Sequence, residues 1–462
     1  MRTTKLLKLT AVLIAAAALA GCSTSGSFQS NPTGTVPPAQ ANIAIIGQDA
    51  SLPSVVSFHV TLMGLTATDG TNTVTLTTGS QDIEFARLTG LRTLLDLHAL
   101  QAGTYTSVTA MLSNPMISVV DVTTTPPSIQ TISGHLTTSS VTLQLPAPLT
   151  VASGDLIALL FDFNLAKSLN STGTVDGTVV PTLAMKVIPA DAPEAHIDEL
   201  TAGVVSVDAA NNTFVVQLRN GLHLTVVTDS NTDIEPASET LGSFDTNTIV
   251  EVSGKLDRAT RTLHADEVDV VSRDHFFVAG LLTDVRPPTG PASQVDLFIR
   301  SELPDLSNMP PGTIGTFNLT GNEMYLIRRL HTPLSLFIFN NSAMVRGQRI
   351  AVGGMLNASP LMVHRVTLYP QGLEGAWVPG STNIQSGNQG TFQFNANGLV
   401  GVLFSGPVTV LTSSFTHFTG GLNGLGDLSG TQAIKLRVVG LVLKDTTSGN
   451  PVVVARTVEQ LP

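Results

Sequence analysis

The chain has 462 residues; 12% are charged, 34 acidic residues stand against 23 basic ones for a net charge of −11, and there is one cysteine. A single cysteine excludes intrachain disulfides, CxxC redox motifs and cysteine-built metal sites. An acidic body does not attract a phosphate backbone by bulk electrostatics, so no nucleic-acid partner is expected.

In chain order, Arg2, Lys5 and Lys8 form a basic start, and LTAVLIAAAALA follows as an apolar run too short to span a bilayer stably. Residues 1–21 therefore read as a secretory leader. It closes on Leu19-Ala20-Gly21-Cys22, which resembles the signal of bacterial lipoproteins. The resemblance implies cleavage before Cys22, a diacylglyceryl group on its thiol and acylation of the new amine. A thiolate is a good nucleophile at neutral pH, and several acyl chains hold a membrane where one binds marginally. Without Arg2, Lys5 and Lys8 the chain keeps 20 basic against 34 acidic residues, −14. Residues 22–41 are small, polar and proline-bearing, a flexible tether. By resemblance to bacterial lipoprotein sorting, Ser23 favours the outer membrane.

From residue 42 onward, alternating apolar and polar runs dominate: SFHVTLMGL, SVTLQLPAPLTV, FVVQL, LHLTVV, IVEVSG and IKLRVVGLVL. Short, β-branched and bounded by Gly, Pro, Asn and Asp, they predict an all-β chain. Residues 83–100 and 162–169 are the candidates for helix. The first domain is expected over 42–190 as a β-sandwich, ending in the Pro- and acid-rich stretch 188–200. Three tandem small β-barrel modules are expected after it, over 200–272, 278–371 and 374–462, with the second the most diverged. Each opens on a glycine (Gly203, Gly280, Gly375) and carries a second in a V-x-G strand (Gly254, Gly354, Gly440). A glycine there relieves crowding where a strand bends around a small barrel.

The first and third modules share a segment: LTVVTDSNTDI at 224–234 and VTVLTSSFTHF at 408–418 have Thr, Val, Thr, Ser and Thr at the same offsets. In the first copy Asp229, Asn231 and Asp233 are spaced like the opening of a calcium loop, but the turn glycine and the closing Glu are missing. The second copy has Ser413, Phe415 and His417 in those places, so the repeat reads as scaffold and these three residues as weak metal candidates. GGLNGLGDLSG at 420–430 echoes a glycine–Asp calcium repeat once, where stacked copies are needed.

Other chemistry is sparse. The ten histidines make no HxH or HExxH, and no GxSxG elbow, Walker loop or dinucleotide fingerprint is present. Asp266, Glu267 and Asp269 form the densest acidic patch and read as a solvated strand edge. Trp377, at the junction of the second and third modules, reads as packing rather than a sugar platform. No catalytic residue and no cofactor are assigned.

Two family resemblances fit these regions. Residues 42–188 resemble a bacterial domain of unknown function found in lipoproteins, a β-sandwich of transthyretin-like character, through VSFHVTLMGLTA, LLDLHALQAGTYTSVTAML, LIALLFDFNLAKSL and VVPTLAMKVI. That family commonly carries an Asp where this chain has Asn164. The modules from Gly203 resemble a second bacterial family of unknown function, small barrels of OB-like character, through an opening Gly-x-Val, a V-x-V-x-T-x-T run and V-x-V-x-G-x-L. These resemblances imply fold and location; the polar tether and the tandem modules add the expectation of a non-catalytic, membrane-anchored envelope lipoprotein. Its role would be binding or structural, with a polysaccharide or protein partner, facing the periplasm or the cell surface. An envelope hydrolase is the alternative.

Overall fold

The structure is a computed structural model describing residues 40–50, 52, 55–77, 79–121, 128–169, 176–257, 260–273, 276–304, 306, 309–328, 338–355 and 361–461. The leader, Cys22 and the tether up to residue 39 lie outside the described residues. Gln40 and Ala41, assigned to the tether by sequence, already open the first strand, Gln40–Ala50.

Strand accounts for 61% of the structure and helix for 7%, so the chain is all-β. In the N-terminal domain one sheet runs in the order Leu183–Pro189, Leu156–Asn164, Gln40–Ala50, Thr93–Gln101. The facing sheet runs Thr73–Thr75, Val55–Thr68, Gly103–Asp121, Ser128–Ser133, with Gln81–Glu84 and Ser140–Val151 paired alongside. Phe58, Phe85, Phe161 and Phe163 fill the space between, with the Phe58 and Phe163 rings 4.9 Å apart. This is the expected sandwich.

The four-stranded sheet is covered on both faces. Ala44, Ile46, Leu94 and Leu160 point away from the sandwich core and share one apolar cluster with Phe214, Val226 and Val250 of the first module. A sheet buried on both sides has continuous apolar runs instead of alternation. That explains the error at 83–100. Consecutive buried residues resembled a helical face, but the segment forms the end of Gln81–Glu84, a 3-10 turn Ala86–Leu88 and the strand Thr93–Gln101. Gly90, at φ +69°, breaks it in the middle. Within 162–169 only Leu165–Ser168 is helical, a single turn. Asn164 caps it by accepting the Lys167 N–H at 3.1 Å, a task an Asp would perform equally well.

Each later module repeats one topology. In the first, the strands are Ile197–Asp208, Thr213–Gln217, His223–Val227, Asp233–Glu235, Ile249–Leu256 and Leu263–Ser272, in the spatial order third, second, first, fifth, sixth, fourth. It begins three residues earlier than the sequence boundary at 200 suggested. The second module has the same order in Phe277–Arg286, Gln294–Leu303, Ile314–Asn318, Met324–Ile327, Arg349–Met355 and Met362–Tyr369. The third adds a hairpin strand, Asn383–Ser386, to Gln371–Trp377, Gln389–Ala396, Val408–Thr412, His417–Thr419, Lys435–Lys444 and Pro451–Gln460. The first and third close into five-stranded barrels by parallel pairing of the third and sixth strands, Val226 with Leu263 and Val410 with Val453. Among the described residues the second stays open there.

The V-x-G glycines have a physical reason. Gly254, Gly354 and Gly440 each sit at a register shift between the fifth and sixth strands. A Cβ at any of them would enter the carbonyl oxygen of His264, Met362 or Val454, respectively. The fifth strand crosses its neighbour's backbone there, and only glycine fits.

Candidate functional site

The shared segments show what the recurring hydroxyls do. In the first barrel the Asp229 N–H donates to Thr232 Oγ1 at 2.9 Å, and Thr232 Oγ1 donates to the Ala265 carbonyl at 2.8 Å. In the third, the Ser413 N–H donates to Thr416 Oγ1 at 2.9 Å, and that hydroxyl donates to the Ala455 carbonyl at 2.8 Å. Thr228 and Thr412 likewise bond the carbonyls of Asn212 and Asn388. Thr232 and Thr416 pin the turn between third and fourth strands onto the sixth, while Thr228 and Thr412 tie the end of the third strand to the turn before the second. Asp229 Oδ1 accepts the Asn231 N–H at 2.7 Å, and Asn231 and Asp233 are exposed. In the 420–430 stretch, Asp427 is a turn cap, accepting the Asn423 N–H at 2.7 Å. Among the described residues no group of three or more His, Cys, Asp and Glu side chains is arranged to hold a metal ion.

Trp377 is 1% exposed within the core of the third barrel, its Nε1–H donating to Thr382 Oγ1 at 3.1 Å. It packs, though inside a module rather than at the junction. His275 and His331 lie outside the described residues.

The acidic patch at 266–269 is corrected. Asp269 and Glu267 are 0% and 1% exposed, because the sixth strand of the first barrel faces the second module instead of solvent. There the fully buried Arg328 pairs with Asp269 at 3.5 Å and with Glu251 at 3.6 Å, while its Nη2 donates to the Asp198 carbonyl at 2.9 Å. Tyr369 Oη donates to Glu251 at 3.1 Å. The Tyr369 ring lies within 5.9 Å of the Arg328 guanidinium and 5.4 Å of that of Arg349, at cation–π distance.

A charged junction continues from there through all four units. Glu199, at the start of the first barrel, receives both Arg349 nitrogens at 2.7 Å and Arg87 of the sandwich at 3.3 Å. Burial pushes the Glu199 carboxyl up, but the Arg349 guanidinium outweighs it and holds the group below its usual range. Asp198 accepts the Arg92 backbone N–H at 3.0 Å and pairs with Arg456 of the third barrel at 3.2 Å. His196 spans Asp266 at 2.9 Å and Asp198 at 3.7 Å. Burial alone would lower its pKa, and bonding to the two carboxylates raises it above the ordinary value. Sequence reading missed this cluster, since its partners are far apart in the chain. The available signal was charge in strand positions of a charge-poor chain, as in IVEVSG and QRIAVGG.

Three cavities adjoin the junction. One of about 90 Å³ lies between the sandwich and the first two modules, lined by His59, Glu84, Arg87, Arg219, Arg300 and Glu302. His59 Nδ1 bonds Asp82 at 2.8 Å, and its buried Nε2 has no partner among the described residues. Ser301 lines the same cavity and makes no hydrogen bond to that nitrogen. A second, of about 60 Å³, lies between the sandwich and the second and third modules, lined by Arg87, Arg300, Arg349 and Glu374. A third, of about 480 Å³, opens beside Gly203, Arg219 and Pro304.

Fold and junction together define an all-β protein in which a two-sheet sandwich and three repeats of one barrel topology meet around buried charge. Residues 41–181 match the model of a domain of unknown function (DUF4382), which spans most of the sandwich. No curated protein matches the chain.

Proposed function

We propose that the protein is a lipid-anchored, non-catalytic component of the cell envelope. Cys22 carries the anchor, favouring the outer membrane; residues 22–41 are the tether; and the body beyond has a binding or structural role toward an envelope polysaccharide or protein. The lipobox-like LAGC and the transthyretin-like and OB-like character of the units support the location. The observation that carries the role is the bidentate Glu199–Arg349 pair, 0% and 5% exposed, with Arg87 added from the sandwich. Buried charge shared by sandwich, first barrel and second module makes one stiff body rather than a string of independent beads, as suits a strut or an extended display surface. Two measurements test this. Wild-type protein is expected in the membrane fraction after a high-salt wash and Cys22→Ser in the soluble fraction; a variant that stays with the membrane overturns the anchor. Protease shaving of intact cells then assigns the cell surface or the periplasm.

A further inference from the structure

Three guanidinium groups line the cavity of about 60 Å³ between the sandwich and the second and third modules, and their counter-charges are unevenly supplied. Arg349 is matched by the bidentate Glu199. Arg87 shares that same carboxylate at 3.3 Å. Arg300 has no ion pair among the described residues: its Nη2 donates to the Val56 carbonyl at 2.5 Å, and its Nε is buried without a partner.

The acids nearby are already committed. Glu84 accepts three backbone N–H groups, those of Phe58, Ala86 and Arg87, at 2.9–3.1 Å. Glu374 is held by Arg437 at 2.8 Å. Burial pushes the Asp49 carboxyl well above the usual range, with the charges of Asp162 and Glu84 adding to the effect, so it is a poor source of counter-charge. A buried, unpartnered donor on an under-compensated cation is costly unless something fills the space beside it.

We propose that this cavity is a binding site for a small tetrahedral oxyanion of the phosphate or sulfate class, held by Arg300 and Arg87 with Arg349 completing the positive wall. The volume of about 60 Å³ admits roughly four to six waters at about 10–15 Å³ each, room for a small ion. Guanidinium forks match oxyanion geometry, and arginines supplied by different units let one anion tie those units together. The acid strengths agree: burial lowers the Arg87 pKa and pushes Arg300 down to about 10, with like charge from Arg349 adding to both. An anion there reverses that strain, and neutral sugars or cations would not.

The experiment uses the full mature chain in a phosphate- and sulfate-free buffer. Inorganic phosphate and sulfate, each titrated against chloride at matched ionic strength, are expected to raise the melting temperature saturably. Arg300→Met is expected to weaken phosphate binding at least tenfold, and Arg286→Met, at a partly exposed arginine away from the cavity, to leave it unchanged. Should Arg300→Met not fold, a selenate soak of wild-type crystals takes its place, with anomalous density expected between Arg87 and Arg300. No response beyond chloride, undiminished binding in Arg300→Met, or selenate density only elsewhere would overturn the proposal.

Discussion

The most demanding single positions in this chain are glycines, and they differ in kind. At Gly254, Gly354 and Gly440 a methyl group would meet a ladder carbonyl that cannot move without breaking the pairing of fifth and sixth strands. Alanine at any of the three is therefore expected to cost about 3 kcal/mol, the upper range for forced overpacking. Gly203, also in a strand, has nothing within 4 Å of where a Cβ would sit. Alanine there is expected to be neutral within about 1 kcal/mol, since the strand loses only glycine's excess freedom. Urea denaturation of the four variants checks this; equal losses at all four would mean that strand propensity, not the bulge, is being measured. These residues were also the most legible in the sequence, because a bend around a small barrel leaves a V-x-G mark at the same place in each repeat. The hydroxyls Thr232 and Thr416 were legible for the same reason, and the structure gives both copies one hydrogen-bond pattern.

Among the elements, the connection into the first barrel carries the most chemistry per residue. The 3-10 turn Pro193–Ala195 hands the chain to His196, which reaches Asp198 on the strand that follows and Asp266 on the sixth strand of that barrel, with Arg456 and Arg92 also bonded to Asp198. A histidine whose folded pKa lies above its unfolded value binds protons more tightly folded than unfolded. Its stabilisation is complete below the unfolded pKa of about 6.5 and fades as pH rises through the raised folded value. Stability is therefore expected to fall as pH rises above about 6.5, and His196→Gln to flatten that slope. Denaturant midpoints at several pH values measure it, and an unchanged slope in the variant would assign the titration elsewhere. Strand identity was largely readable from period-2 runs, but strand environment was not. Thr93–Gln101 and Leu263–Ser272 are covered on a second face by another unit, so the first mimicked a helix and the second an exposed acidic edge.

At the scale of the whole molecule, the modules are tandem in sequence but not independent in space. The four-stranded sheet of the sandwich shares an apolar cluster with the first barrel, and Leu441 and Val454 of the third barrel share one with the second module. Glu199 and Arg349 lie 150 residues apart, a separation at which a single sequence offers no pairing signal. The consequence is measurable. Arg349→Met leaves Glu199 fully buried with Arg87 at 3.3 Å as its remaining ion pair among the described residues, so it is expected to cost about 3–5 kcal/mol, the usual penalty for orphaning a buried charge. Adding Glu199→Leu removes the orphaned carboxylate and is expected to restore part of that loss, since a well-packed apolar replacement is often neutral. Arg346 pairs with Asp284 on the surface with its side chain 55% exposed, and Arg346→Met is expected to change stability by no more than about 1 kcal/mol. Because the buried pair joins different units, its loss should lower the unfolding of the sandwich and of the barrels together. Two transitions in calorimetry, only one of them shifted by Arg349→Met, would show that the units unfold separately and that the junction holds less than its burial implies.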